Sequence, residues 1–407
     1  MANSNIKRVF PNPISISKTL KFKKIIFSSR KRRLVKALTI EDLRKIAKKR
    51  TPKGPFDYTD GAAESESSLD RARNRYQSLQ FVPNILRDVS KVDTSVEILG
   101  EKFALPFGIA PTGFTRMMHA EGEVAGARAA EKFQIPFTLS TLGTSTIAEV
   151  VAAAPNGRNW FQLYMWKDRE GSMRLVENAW NAGVRNLVLT VDVPVAGARL
   201  RDTRNGLTIP PSLTLQTLIE AAPKVEWWWN FLTTPELRFA SMSQWKGTVA
   251  ELLDYMFDPS LSFEDLKWIR QQWKGTLSIK GIQNLDDAKK AARIGVDAIV
   301  LSNHGGRQLD RAPIPLDLVQ SCRKSLGRNV EIHVDSGIMR GSDVLAALAL
   351  GADFAYIGRA YLYGLMAGGQ EGVERSLEIM AGEITRTMKL LGVSNVKELK
   401  PTHINFL

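Results

Sequence analysis

Eight short apolar runs, each followed by a helical pattern, constrain this chain more than any other feature. The runs are Leu105–Thr112, Pro136–Thr141, Asn159–Tyr164, Asn186–Asp192, Leu277–Gly281, Ala298–His304, Glu331–Gly337 and Phe354–Ala360. The helical patterns between them include EGEVAGARAAEKF at 121–133, GSMRLVENAWNAG at 171–183, LDDAKKAARIG at 285–295 and RGSDVLAALALG at 340–351. Three of these stop at Gly183, Gly295 and Gly351, the residue type that tolerates a left-handed helix cap. Runs such as DAIVLS lack the alternation of a half-exposed strand, so both of their faces are buried. Strand–helix units repeated eight times predict a closed (β/α)8 TIM barrel over about residues 104–392. An open doubly wound sheet would carry a Gly-rich phosphate loop after its first strand, and none is present. At 407 residues the chain suits one barrel with additions.

Two segments fall outside the rhythm. Residues 1–38 form a basic N-terminal arm, and 39–407 form the main domain. Eleven of the 56 Lys and Arg residues lie in residues 1–36 and none of the 42 acids does, so the arm carries most of the net charge of +14. Such an arm can rest on an anionic membrane at roughly 1 kcal/mol per well-placed cation, act as a transit peptide, or stay a solvated tail. Nucleic acid is not expected, because the arm has Phe10, Phe22 and Phe27 but no reading motif. The second segment, about 200–262, follows the fourth strand and is long enough to suggest function. Its Trp227, Trp228, Trp229 and Trp245, beside Lys224, Arg238 and Lys246, fit a membrane-interface patch. A subunit contact or a folded lid is the other reading. No apolar run reaches the ~18 residues of a spanning helix, so any membrane association is peripheral. A single cysteine, Cys322, excludes an intrachain disulfide and a cysteine-cluster metal site, and no metal is expected. Its helical context, PLDLVQSCRKSL, reads as that of a half-buried structural thiol in a reducing compartment.

Reactive groups of a barrel sit at the C-terminal ends of its strands. Those ends hold Thr112, Ser140, Gln162, Tyr164, Thr190, Asp192, Lys280, His304, Arg307, Asp335 and Arg359. Folding alone does not call for them, since a buried Lys or Arg without a partner costs several kcal/mol.

The segment SNHGGRQLD at 302–310 resembles the signature of the FMN-dependent 2-hydroxy acid oxidases and dehydrogenases. The resemblance runs from about Thr39 to the C-terminus. It takes in FDYTDGAAE at 56–64, IAPTG at 109–113, WFQLYMW at 160–166, TVDVPVAGAR at 190–199, IKG at 279–281, VDSGIMRGSDV at 334–344 and YIGRAYLYG at 356–364. The basic arm and the Trp-bearing insertion look most like the membrane-associated lactate and mandelate dehydrogenases of that family.

The resemblance implies a role for each residue. His304 is the base that takes a proton from the substrate, a task for which an imidazole titrating near neutrality is suited. Asp192 holds the ring. Arg199 and Arg307 clamp the substrate carboxylate, with Tyr58 and Tyr164 hydrogen-bonding the carboxylate and hydroxyl. FMN is the implied cofactor. Lys280 lies near its N1 and O2, Ser140, Gln162 and Thr190 hydrogen-bond its edge, and Pro111, Thr112 and Gly113 pass along its face. Asp335, Ser336, Gly337, Arg340, Gly358 and Arg359 belong to its phosphate segment. There are departures from the family pattern. Met339 stands where relatives often carry Arg, with Arg340 following as the compensating cation. Leu142 and Ala196 replace bulkier Trp and Leu of glycolate oxidases, leaving room for a larger substrate group.

The implied reaction is oxidation of an (S)-2-hydroxy acid to the 2-oxo acid, L-lactate to pyruvate in the first instance, with electrons leaving to a quinone or cytochrome. An oxidase producing hydrogen peroxide from oxygen, and a dehydrogenase of a larger acid such as mandelate, are the alternatives. Arg307 beside His304, and the lack of a strand-end cysteine, argue against a flavin barrel isomerase or nucleotide dehydrogenase. Residues 1–38 are too few for a fused haem domain. The family resemblance further implies a homo-oligomer, a tetramer. The expected location is peripheral, on the cytoplasmic side of the inner membrane, or else soluble in the cytoplasm.

Overall fold

The computed structural model describes residues 10, 12–13, 26–206, 222–242 and 256–406. Its barrel strands are β1 (Phe107–Thr112), β2 (Pro136–Ser140), β3 (Arg158–Leu163), β4 (Asn186–Thr190), β5 (Thr276–Ile282), β6 (Ala298–Leu301), β7 (Glu331–Val334) and β8 (Phe354–Ile357). Each pairs in parallel with the next, and β8 pairs with β1, so no strand edge is left open. The alternating helices are α1 (Gly122–Lys132), α2 (Ile147–Ala153), α3 (Arg169–Asn181), α4 (Phe263–Gln272), α5 (Leu285–Ile294), α6 (Pro315–Leu326), α7 (Gly341–Ala349) and α8 (Arg359–Leu391). This is the (β/α)8 barrel the periodicity predicts.

Ile109, Leu187, Ile299, Ile332 and Phe354 are fully buried in the strands. A small antiparallel hairpin, Val96–Ile98 with Glu101–Phe103, caps the N-terminal mouth. Phe103 meets Trp160 edge-on at 6.0 Å and lies 6.2 Å from Phe354, which fills that end with aromatic rings. The C-terminal mouth is left free for polar groups.

Among the described residues four helices precede the barrel. Ser29–Lys36 and Ile40–Arg50 pack on α8 through the buried Leu34, Leu43 and Ala47. Thr39 and Asp42 form a capping box that starts the second of these. Lys53–Asp60 and Ser67–Gln77 then carry Tyr58 and Arg73 to the C-terminal mouth. Part of the basic arm is therefore folded: Arg30 pairs with Glu226 at 3.1 Å and Lys31 with Glu371 at 3.5 Å. Helix α8 bends at Gly368 and Gly369, the latter at φ +61°. The bend brings Gly364 and Gly372 together so closely that a Cβ on Gly364 would lie 2.4 Å from the other's carbonyl oxygen.

Within the insertion the described elements are Leu200–Arg204, the helix Val225–Thr233 and a single turn at Ala240–Met242. Trp245 and Lys246 lie outside the described residues. The three consecutive tryptophans do not share one face. Trp227 donates its indole N–H to the Met117 carbonyl at 2.9 Å and stacks on Phe231, whereas Trp229 is 69 % exposed. Cys322 is fully buried, not half-buried, because α6 turns that face onto the barrel. No helix among the described residues is long and apolar enough to cross a membrane.

Candidate active site

The C-terminal mouth encloses a cavity of about 160 Å³. Several rim residues read as strand in the sequence have left the ladder. Strands β6, β7 and β8 end at Leu301, Val334 and Ile357. His304, Gly305 and Gly306 take φ of 58°, 64° and 76°, and Ser336 and Gly337 take 74° and 88°. Left-handed residues cannot extend a strand, so these segments turn inward over the mouth. A Cβ on Gly306 would lie 2.8 Å from the Leu69 backbone nitrogen, so only glycine lets the loop approach that closely.

His304 Nδ1 is 2.9 Å from Asp192 Oδ1. The Asp192 side chain has no exposed surface, and its Oδ2 has no partner among the described residues. Burial pushes its carboxyl up, but the charges of His304 and Lys280 outweigh that and hold it below the usual range. An ionised carboxylate only accepts, which puts the ring proton on Nδ1 and leaves Nε2 with its lone pair. Nε2 faces the cavity beside the Tyr164 hydroxyl at 3.4 Å. A base with one open nitrogen and a fixed tautomer is the result.

Opposite it, Arg307 and Arg199 stand over the Tyr58 ring at 4.6 and 5.3 Å. Arg307 Nη1 donates to the carbonyls of Tyr58 and Gly61. Burial, and then the charge of Arg199, hold the Arg307 guanidinium below its usual range. Two like charges converging in a cavity, with Asp202 paired to Arg199 at 3.8 Å and acting on Arg307 from farther off, form a receptor for an anion such as a carboxylate.

The floor holds Lys280, 3.1 Å from Asp335 Oδ2 and 2.9 Å from Ser302 Oγ. Ser140 donates to Gln162 Oε1 at 2.9 Å, yet Gln162 Nε2 and Thr190 Oγ1 are buried with no partner among the described residues. Orphaned donors of this kind suit the heteroatom edge of a flavin. The Thr112 hydroxyl is taken by Tyr361, so Thr112 offers the cavity its backbone.

Gly358 also lines the cavity, and the nearest atom a Cβ there would meet is Ala110 Cβ at 4.0 Å, so the site keeps an open cradle. Beside it, Arg359 spends its donors on the carbonyls of Thr59, Gly305 and Gly61 at 2.7–2.9 Å. Burial brings its pKa down to about 10; Tyr363 opposes this, and Arg307 and Arg73 add to it. This excess of buried positive charge at the start of α8 fits a phosphate. The residues present fit FMN.

Some sequence-predicted residues lie elsewhere. Arg340 is exposed at the cap of α7 and does not line the cavity, so the compensation expected for Met339 is absent, although Met339 itself reaches the wall. Ala196 is exposed too, and Val193 lines the cavity in that stretch. Three residues the sequence reading missed are Arg73, Phe239 and Phe257. Arg73 leaves Nε buried and unpartnered among the described residues. Phe257 packs edge-on against Tyr164 at 5.5 Å, and Phe239 against Phe114 at 4.4 Å. They come from the pre-barrel helix and the insertion, where no repeat ties a residue to the rim.

Comparison with known proteins agrees with this geometry. A "Putative L-lactate dehydrogenase" of Mycobacterium tuberculosis is 56 % identical over 402 residues, 99 % of this chain and 97 % of the relative. An L-lactate dehydrogenase of Alcaligenes faecalis is 40 % identical over 88 % of this chain and 96 % of its own length. Among solved structures, the monotopic membrane protein (S)-mandelate dehydrogenase superposes with a TM-score of 0.88 at 36 % identity, over 91 % of this chain and 100 % of that one. The model of the FMN-dependent dehydrogenases matches residues 47–406, and the chain belongs to that family.

Proposed function

We propose that this enzyme oxidises L-lactate to pyruvate and passes the two electrons, through FMN, to a quinone or cytochrome at a membrane surface. The observation that carries the reading is the His304–Asp192 pair facing two convergent arginines across one cavity. Arg199 and Arg307 hold the substrate carboxylate, and Tyr58 and Tyr164 hydrogen-bond the carboxylate and hydroxyl. His304 Nε2 takes a proton from the substrate, and Asp192 stabilises the imidazolium that forms. Bound FMN supplies the two-electron acceptor. Lys280, Ser140, Gln162 and Thr190 would hold its edge, with Pro111, Thr112 and Gly113 along its face. Ser336, Gly337, Gly358 and Arg359 would receive its phosphate end, with Arg73 beside them, and Asp335, paired with Lys280, would lie along the cofactor in the same segment.

The names of the relatives support L-lactate. A larger acid such as mandelate is the second reading, favoured by the apolar wall of Leu142, Val193, Phe239 and Phe257. Anaerobic titration of the flavin spectrum with L-lactate, D-lactate and (S)-mandelate separates the two. L-lactate should bleach the flavin and D-lactate should not; bleaching by mandelate alone would replace the lactate reading. His304→Gln should keep FMN and lose turnover by roughly three or more orders of magnitude. Faster reoxidation by air than by a quinone analogue would make the enzyme an oxidase that releases hydrogen peroxide.

The proposed location is peripheral, on the cytoplasmic side of the inner membrane, with a homotetramer as the assembly. Val225, Trp229 and Leu232 support it, since they expose apolar surface from one helix, as does the basic arm of residues 1–38 ahead of the domain at 39–407.

A further inference from the structure

A second cavity, of about 270 Å³, lies between the helix Val225–Thr233 and the barrel. Its wall is aromatic and flat on one side: Trp227 and Phe231 stack 4.9 Å apart at 11°. Met118, Leu237 and Met366 supply further apolar surface. Arg50 and Arg116 also reach the wall, but Glu226 engages the first and the Pro235 carbonyl, at 2.6 Å, the second.

Thr51, Asn230, Thr234 and Glu236 add polar side chains to this lining, and among them stands the buried His119. It is 8 % exposed, and its Nδ1 accepts the Glu121 backbone N–H at 3.3 Å. A neutral ring accepting at Nδ1 carries its proton on Nε2. That Nε2 is buried with no partner among the described residues. Burial lowers the pKa of the imidazole; Glu121 opposes this, and Arg30 and Arg50 add to the lowering, so the ring is neutral near pH 7. A buried donor without an acceptor costs about 1–3 kcal/mol, a deficit that a carbonyl oxygen from a ligand would remove.

The two cavities are lined by neighbouring stretches of the chain. Thr112 and Gly113 line the first, and Arg116 and Met118, a few residues on, line the second. Leu237 lines the second and Phe239 the first. At the second cavity's open side stand Leu232, 70 % exposed, and its neighbour on the helix, Trp229.

We propose that this second cavity is the site of the quinone that reoxidises the enzyme, with a quinone carbonyl accepting from His119 Nε2–H, the ring lying along Trp227, and the tail leaving past Leu232. The proposal rests on the 2-hydroxy acid dehydrogenase reading. The balance closes without another reagent: the hydroxy acid gives up two electrons and two protons, and the quinone takes up both and leaves as the hydroquinone. A flat, largely apolar ring with a carbonyl matches a buried, unpartnered donor beside an aromatic wall. A cytochrome is far too large for the cavity.

The test uses the FMN-loaded full chain with decyl-ubiquinone, measuring its Kd by equilibrium dialysis and its KM in lactate-supported turnover. His119→Phe keeps the ring shape and removes the donor, and Leu232→Trp plugs the mouth from an exposed position. Each should raise both constants by roughly tenfold, the weight of one hydrogen bond or of a blocked entrance, with ferricyanide-supported turnover unchanged to within about twofold. His119→Gln, which retains a donor, should recover part of the loss. FMN absorbance and Tm check that each variant is folded. Wild-type Kd in both His119→Phe and Leu232→Trp would overturn the site, as would failure of the wild type to bind decyl-ubiquinone. Failure of L-lactate to bleach the flavin, with no quinone present, would instead overturn the functional reading beneath it.

Discussion

Replacing Asp192 by Asn tests the proposed mechanism at its least exposed point. The carboxylate has one hydrogen-bonded partner of opposite charge once His304 is protonated, at 2.9 Å, and no exposed side-chain surface. Coulomb's law at that separation, with an effective dielectric near 20, gives about 6 kcal/mol between unit charges. The imidazolium charge is spread over two nitrogens, so about half of this, roughly 3 kcal/mol, bears on the step that protonates His304. That corresponds to about two orders of magnitude in rate. A second effect acts in the same direction. The Asn amide can donate to Nδ1, which moves the ring proton to Nε2 and removes the open lone pair, at a cost of up to roughly four orders of magnitude. The assay is anaerobic stopped-flow bleaching of the flavin by saturating L-lactate, with FMN content read from the visible spectrum. Asp192→Asn should retain FMN and bleach about 100- to 10,000-fold more slowly. Bleaching within about threefold of wild type would refute the assignment of Asp192 as the partner of the base.

Arg307→Lys should raise the KM for lactate and lower kcat together, by roughly tenfold or more in kcat/KM, because an ammonium cannot reproduce a guanidinium fork; unchanged steady-state kinetics would remove Arg307 from the clamp. Asp343, which accepts from the Met339 and Arg340 backbone N–H groups, is pushed up to about 6, chiefly by burial. Between pH 4 and 6 the folded state therefore binds more protons there than the unfolded state, and its contribution falls by on the order of 2 kcal/mol as pH rises, then stays level. Urea titrations across that window should show the slope in the wild type and a flatter one in Asp343→Asn. Trp229→Ser with Leu232→Ser should leave vesicle binding that high salt abolishes, since charge alone acts over about 8 Å at physiological salt. Salt-resistant sedimentation of that double variant with anionic vesicles would count against the helix tip as the membrane contact.

The barrel was legible because its signal repeats eight times and each repeat needs only local information: an apolar run, a helical face and a stop. The rim was legible in identity but not in conformation. His304 and Asp335 were read as strand ends, whereas they lie beyond Leu301 and Val334, in segments that turn through left-handed residues. Proximity in sequence misled at Arg340, which follows Met339 but caps α7 and faces solvent. Composition misled at the tryptophans: an unbroken WWW looks like one patch, but a helix sends successive side chains about 100° apart, so Trp227 turns inward and Trp229 outward. Arg73, Phe239 and Phe257 were out of reach, since their positions at the mouth depend on how non-repeating segments dock.

The segment after β4 has a consequence for how such an enzyme can change. All eight barrel pairings close without it, so the scaffold tolerates its replacement. Yet this one stretch gives Phe239 and Phe257 to the first cavity, Trp227 and Leu237 to the second, and Trp229 to the outside. Substitutions selected for a new substrate side chain would disturb the outer surface around Trp229, and a graft that alters that surface would carry a different preference with it. Pocket lining and outer surface are thus tied to one segment, and exchanging it whole would change both at once.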